Sequence, residues 1–190
     1  DLVAAVPDRH ISFEVFSDDI SEMVAQARVI TTWGRNVHVK LPVTTTRGEP
    51  RYDAVKALSR DGVKINMTVL FTPAHVARAI EALPLDAVQL HGDAPVEDYV
   101  ELGVPFVLVV RGTPERIDLP SIAPRWILLD AHVPGYGGAA TRTDWTWAAA
   151  TVQRLAPTPV WLAGGIDPDN AALAIATVQP AGLDVASGAE

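Results

Sequence analysis

The chain has 190 residues, 48% of them hydrophobic, and a formal net charge of −8. This suffices for one domain with a substantial core and excludes a disordered chain, while the acidic balance is opposite to that of a non-specific nucleic-acid binder. The absence of cysteine removes disulfides, thiolate nucleophiles and cysteine-ligated metals, and no apolar run reaches membrane-spanning length or resembles a signal peptide. The expectation is a cytoplasmic protein with neither nucleic acid nor membrane as partner. The chain opens on Asp1 and stops at Glu190 soon after a strand-like run, so its terminal pieces, including a last helix, are expected to lie outside it.

Short apolar, β-branched runs alternate with helix-like stretches along the chain. The first strand is predicted over roughly 10–16 (HISFEVF), followed by a helix capped by Ser17 or Asp18 and running to about Trp33, before Gly34. Strands at 36–43 and 63–71 follow, then a helix with Pro73 in its first turn (PAHVARAIEAL). Strands come next at 85–91, 104–111 and 125–130; the stretch 112–124, with three prolines, is the poorest helix former. Thr143 or Asp144 starts DWTWAAATVQRL, a strand follows at 159–163, Pro168 opens PDNAALAIATV, and the last strand covers 182–187. Loop 134–143 (PGYGGAATRT) is the most flexible in composition.

Eight strands that read as continuous apolar runs, most of them separated by a helical stretch, imply parallel strands covered by helices. That favours a single closed (β/α)8 (TIM) barrel of α/β class over residues 1–190. No G-x-G-x-x-G follows any strand, so a dinucleotide fold is unsupported. In such barrels the active site lies at the C-terminal ends of the strands. The strands here carry polar groups in their interiors or at those ends: Glu14, Lys40, Asn66 with Thr68, Gln89 with His91, Arg111, Asp130, and Asp184. Lys40 and Glu14 interrupt apolar strands, and a buried unpaired charge is costly, so the two are expected to pair. The Gly164–Gly165 turn after the seventh strand and Ser187–Gly188 after the eighth let backbone N–H groups approach an anion, the usual phosphate site of these barrels. The five histidines form no ligand cluster and no H-E-x-x-H is present, so neither metal nor cofactor is expected.

Four segments, LDAVQLHGD (85–93), ILLDA (127–131), WLAGGIDPDN (161–170) and GLDVASGAE (182–190), resemble phosphoribosylanthranilate isomerase in order and spacing. The resemblance implies a ribulose-type phosphate held by turns 164–165 and 187–188, Asp130 as general acid, and Asp184 near the substrate amine. That family's strand-one cysteine base and its strand-two arginine have no counterpart here. Instead ISFEVF (11–16), NVHVKLPVT (36–44) and DGVKINMTVLFT (61–72) resemble transaldolase. That resemblance implies Lys40 as a Schiff-base lysine, Glu14 as a proton-transfer carboxylate, and Asn66 and Thr68 as positioners of substrate and water. The family's first-strand aspartate and later phosphate-binding arginines are absent. The chain thus reads as a chimera, residues 1–75 of one kind and 80–190 of the other, joined near 72–80.

Three readings stand open. The first is an Amadori-type aldose–ketose isomerase acting on a phosphorylated sugar in tryptophan biosynthesis, with Asp130 as acid and Glu14 replacing the cysteine as base. The second is a Schiff-base aldolase, for which burial must make Lys40 neutral part of the time. The third is a recombined barrel that binds phosphate without efficient catalysis, because acid and base misplaced by about 1 Å lose much of their rate. Arg111 and His91 are candidate substrate contacts in each.

Overall fold

The structure is a computed structural model, and it describes all residues except 1, 6, 9, 69–71, 84, 86, 91–94, 133–140 and 186–190. His91, Ser187, Gly188 and loop residues 134–140 lie outside the described residues.

Eight strands form: β1 (His10–Glu14), β2 (Val37–Pro42), β3 (Ile65–Thr68), β4 (Val88–Leu90), β5 (Phe106–Arg111), β6 (Trp126–Asp130), β7 (Val160–Leu162) and β8 (Gly182–Asp184). All registered pairs are parallel, and the order β3-β2-β1-β8-β7-β6-β5-β4 wraps into a nearly closed (β/α)8 barrel. Among the described residues, β3 and β4 are the two ends of this ladder, with no registered pair between them. Around the strands lie α1 (Leu2–Ala5), α2 (Ile20–Thr31), α3 (Tyr52–Arg60), α4 (Pro73–Ala82), α5 (Glu97–Val100), α6 (Trp145–Leu155) and α7 (Ala171–Val178).

Several ends differ from expectation for local reasons. The N-cap of α2 is Asp19, whose carboxylate accepts from the Glu22 N–H at 2.9 Å. Asp18 is occupied elsewhere, accepting from Thr46 and pairing with the buried Arg51. Pro168 does not open α7: Asp167 Oδ1 accepts from the N–H of Asp169 and of Asn170, both at 2.9 Å, which holds 167–170 as a turn, and the helix starts at Ala171. The stretch 112–124 forms no helix, in keeping with its prolines. Asp144 does cap α6, accepting from Thr146 and Trp147.

Alternation along each strand sorts the side chains into two compartments. Ile11, Phe13, Val39, Leu41, Leu108, Ile127, Leu129, Leu162 and Leu183 pack with Met23, Ala27, Leu58, Ala148 and Ala174 in the layer between barrel and helices. The opposite set points into the barrel, where Val107, Leu128 and Ala163 pack with Val109, Trp126 and Trp161. At the N-terminal ends of the strands a row of rings crosses the floor. His38 stacks on His10 at 4.7 Å, His10 meets Trp161 edge-on at 5.6 Å, and Trp161 stacks on Trp126 at 5.2 Å. Gly182 makes room for this row: a Cβ there would lie 2.6 Å from the Trp161 ring.

Candidate active site at the barrel mouth

The inward positions of the strands are the ones that carry the polar residues singled out in the sequence. Glu14 of β1 is in register with Lys40 of β2, and Lys40 with Asn66 of β3. Pro42 is in register with Thr68, and Arg111 of β5 with Asp130 of β6. Asp184 of β8 is in register with Ser12, two residues below Glu14. Because the strands are parallel, all these groups stand at one end of the barrel, the end where catalytic sites of this architecture lie.

Lys40 is the hub. It is 8% exposed and its Nζ lies 3.5 Å from Asp184 Oδ2, an ion pair in which both side chains are buried. The partner at hydrogen-bonding distance is therefore Asp184, whereas the sequence pointed to Glu14. Glu14 and Asp130 are close enough to act on Lys40 through their charge. Burial pulls the Lys40 ammonium down, but Asp184, then Glu14, the Asp184 hydrogen bond and Asp130 together outweigh it, so that its pKa rises above the ordinary value. The Schiff-base reading requires burial to lower this pKa, and the carboxylates of Asp184, Glu14 and Asp130 act in the opposite direction. Thr68 Oγ1 and Asp184 Oδ1 are both buried without a hydrogen-bond partner. Such atoms are costly unless a ligand or water completes them; Asp184 is the residue paired with Lys40, and Thr68 lies two residues beyond Asn66, the β3 residue in register with Lys40.

The turn after β7 places Gly164 (φ 84) and Gly165 (φ 63) in the left-handed region. At Gly164 the missing side chain does more than free the backbone. A Cβ would lie 2.6 Å from Thr143 Oγ1 and 2.9 Å from both Cβ and N of Ala131. The Ala131 N–H in turn donates to Asp130 Oδ1 at 2.8 Å. Gly164 thus lets the β7 turn nest against the segment that orients Asp130, a linkage the sequence did not reveal. Gly165 contributes its carbonyl to Asn170 Nδ2 at 2.8 Å. Asp167 takes up the N–H groups of Asp169 and Asn170 ahead of α7, so any anion at this turn is left to the amides of 164–166. Among the described residues, four buried polar ones have no counterpart among the sequence candidates: Arg51, 2% exposed and paired with Asp18, Ser12 inside the barrel, Thr45 and Thr151. No group of three or more metal-ligating side chains occurs among the described residues.

The family model for N-(5'-phosphoribosyl)anthranilate (PRA) isomerase matches residues 60–190. The N-(5'-phosphoribosyl)anthranilate isomerase of Myxococcus xanthus is 36% identical over 156 residues, covering 74% of this chain and 72% of that protein. The chain belongs to the N-(5'-phosphoribosyl)anthranilate isomerase family. The isomerase of Thiobacillus denitrificans is 38% identical over 148 residues, 73% of this chain and 70% of that protein. The solved isomerase of Thermotoga maritima superposes with a TM-score of 0.72 at 22% identity, covering 96% of this chain and 89% of that one. Another solved isomerase, with a TM-score of 0.68 at 20% identity over 96% of this chain and 89% of that one, is in complex with reduced 1-(o-carboxyphenylamino)-1-deoxyribulose 5-phosphate. At these identities the superpositions speak for the barrel fold alone.

A second family model, Transaldolase/Fructose-6-phosphate aldolase, matches residues 1–108, and over that stretch the isomerase-family chain belongs to this family too. The two matches overlap between residues 60 and 108, a span that contains β3, β4 and the unregistered side of the barrel between them. No helix among the described residues is long and apolar enough to cross a membrane.

Proposed function

We propose that the chain isomerises N-(5'-phosphoribosyl)anthranilate, an Amadori-type aldose-to-ketose conversion in tryptophan biosynthesis. The observation that carries this reading is the match to curated isomerases over about three quarters of the chain. It is supported by the gathering of Glu14, Asp130 and Asp184 at one end of the barrel. The reaction needs a proton delivered to the ring oxygen as the sugar opens, and a proton removed from the carbon next to the resulting iminium. Asp130 delivers the first and Glu14 removes the second, in place of the cysteine that the chain lacks. The substrate's phosphate sits at the 164–165 turn together with Ser187 and Gly188. Asn66, Thr68, His91, Arg111 and Asp184 surround the rest of the substrate.

The two overlapping family matches support a two-part origin. In this reading β1–β3 descend from a transaldolase-type barrel and β4–β8 from an isomerase, within one 1–190 domain. The transaldolase match also favours a second reading, a Schiff-base aldolase using Lys40. Against it stands the buried ion pair of Lys40 with Asp184, which favours the ammonium over the free amine.

Complementation separates the readings. A bacterium that lacks its own isomerase and requires tryptophan is expected to grow without tryptophan when it expresses this chain, and to stop growing with Asp130→Asn or Glu14→Gln. Growth unaffected by both substitutions would remove Asp130 and Glu14 from the chemistry. Failure of the unaltered, folded chain to support growth, with a sugar phosphate still raising its melting temperature, would leave a barrel that binds without turning over.

A further inference from the structure

Lys40 and Asp184 come from opposite parts of the chain and from the two stretches matched most distinctly by different families. Lys40 has three N–H donors, and among the described residues the only acceptor at its Nζ is Asp184 Oδ2, at the long distance of 3.5 Å. On one side of it Asp184 Oδ1 is buried and unpartnered; Thr68 Oγ1, also buried and unpartnered, sits at the end of β3 beside Lys40's own strand. The lysine is at once enclosed, under-satisfied and surrounded by the carboxylates of Asp184, Glu14 and Asp130. An amine can attack a carbonyl only when it is unprotonated; an ammonium can only donate hydrogen bonds.

We propose that Asp184 locks Lys40 as an ammonium, so that Lys40 meets a bound substrate as a hydrogen-bond donor to an electron-rich oxygen and never as an imine-forming amine. The donor part rests on the isomerase reading: removal of the C2 proton sends its electron pair to the iminium nitrogen, and the C2 oxygen gains negative character only as the enolamine gives up its O–H proton to become the ketose, which makes that oxygen the acceptor for a fixed cation. The lock itself is independent of that reading. A lysine placed for imine chemistry is thereby converted into a positioning and charge-stabilising group by one aspartate from the far side of the barrel. With Asp184 replaced, the desolvation that Lys40 suffers is opposed only by Glu14 and Asp130, and the free-amine fraction rises.

The test is borohydride trapping with dihydroxyacetone near neutral pH, read by intact mass and peptide mapping. In it the amine adds to the ketone, water leaves to give the iminium, and hydride from borohydride reduces that to a stable secondary amine. The unaltered protein is expected to give no adduct on Lys40. Asp184→Asn is expected to be labelled there, because loss of the Asp184 charge and hydrogen bond lowers the Lys40 pKa. A Lys40 adduct on the unaltered protein, or none on folded Asp184→Asn, overturns the lock, whether or not the protein isomerises anything. If Asp184→Asn does not fold, the unaltered protein decides: a Lys40 adduct overturns the lock and its absence sustains it. The donor role is read separately, from turnover of phosphoribosylanthranilate. Lys40→Arg, which keeps a charged donor, is expected to retain much more kcat than Lys40→Met, with KM changing less than kcat. Equal kcat in the two variants overturns the donor role while leaving the lock intact.

Discussion

Acidification probes the floor of the barrel. His38 is pushed from its ordinary 6.5 to about 4, first by burial and then by the charges of His10 and Lys64. Its ring stacks on His10 at 4.7 Å, and its Nδ1 is buried with no hydrogen-bond partner. A histidine that is neutral when folded takes up a proton on unfolding at any pH between those two values, so acid favours the unfolded chain. The contribution is fully present above 6.5 and is lost as the pH falls from 6.5 towards 4. The full gap corresponds to about 3 kcal/mol. Because the ring keeps partial solvent access, about 1–2 kcal/mol is the share to expect. His10 is also lowered, by burial and by Lys64, and acts with the same sign. Urea unfolding followed between pH 7 and pH 4.5 measures the slope. The unaltered protein is expected to lose about 1–2 kcal/mol over that range, and His38→Gln, which keeps the size but cannot titrate, is expected to lose distinctly less. Parallel losses in the two proteins would refute the assignment of the acid sensitivity to this ring.

Two substitutions test packing where a glycine meets a side chain or a turn. Gly182→Ala drives a methyl to within 2.6 Å of the Trp161 ring and is expected to destabilise by about 1–3 kcal/mol, seen as a melting temperature lowered by roughly 2–12 °C; turnover, governed at the other end of the barrel, should survive in the folded fraction. Gly164→Ala meets Thr143 and Ala131 and must also adopt a left-handed φ of 84; it is expected to lower kcat as well as phosphate affinity, because Ala131 carries the hydrogen bond to Asp130. An effect of Gly164→Ala on KM alone would show that the Ala131 link does not reach the acid.

Much of the barrel was legible because period-two alternation and helix caps are local. The eight predicted strands all form, and Asp144 caps α6 as expected. The mouth was legible for the same reason: Glu14, Lys40, Asn66, Thr68, Arg111, Asp130 and Asp184 all fall on inward positions of strands that read as apolar. What local pattern does not contain is which inward residue faces which across the barrel. Lys40 finds Asp184, 144 positions away, because β1 lies between β2 and β8 in the closed order, and sequence spacing alone suggested Glu14. The ring row His38–His10–Trp161–Trp126 has inward parity too, yet its continuity depends on closure and on the bare Cα of Gly182. The α2 cap shifted to Asp19 because Asp18 serves Arg51 and Thr46, partners 33 and 28 residues away. Helix α3 buries Ala54, Val55 and Leu58 on one face, a spacing of three and four residues that is itself a local helical signal.

The most direct measurement is the decay of phosphoribosylanthranilate fluorescence on adding the purified, folded chain, with Asp130→Asn in parallel. Decay with appearance of the ketose product, slowed about 10²–10⁴-fold in Asp130→Asn, is the predicted result. No decay above the uncatalysed rate, or equal decay with the variant, would contradict the assignment of Amadori isomerisation to this barrel mouth.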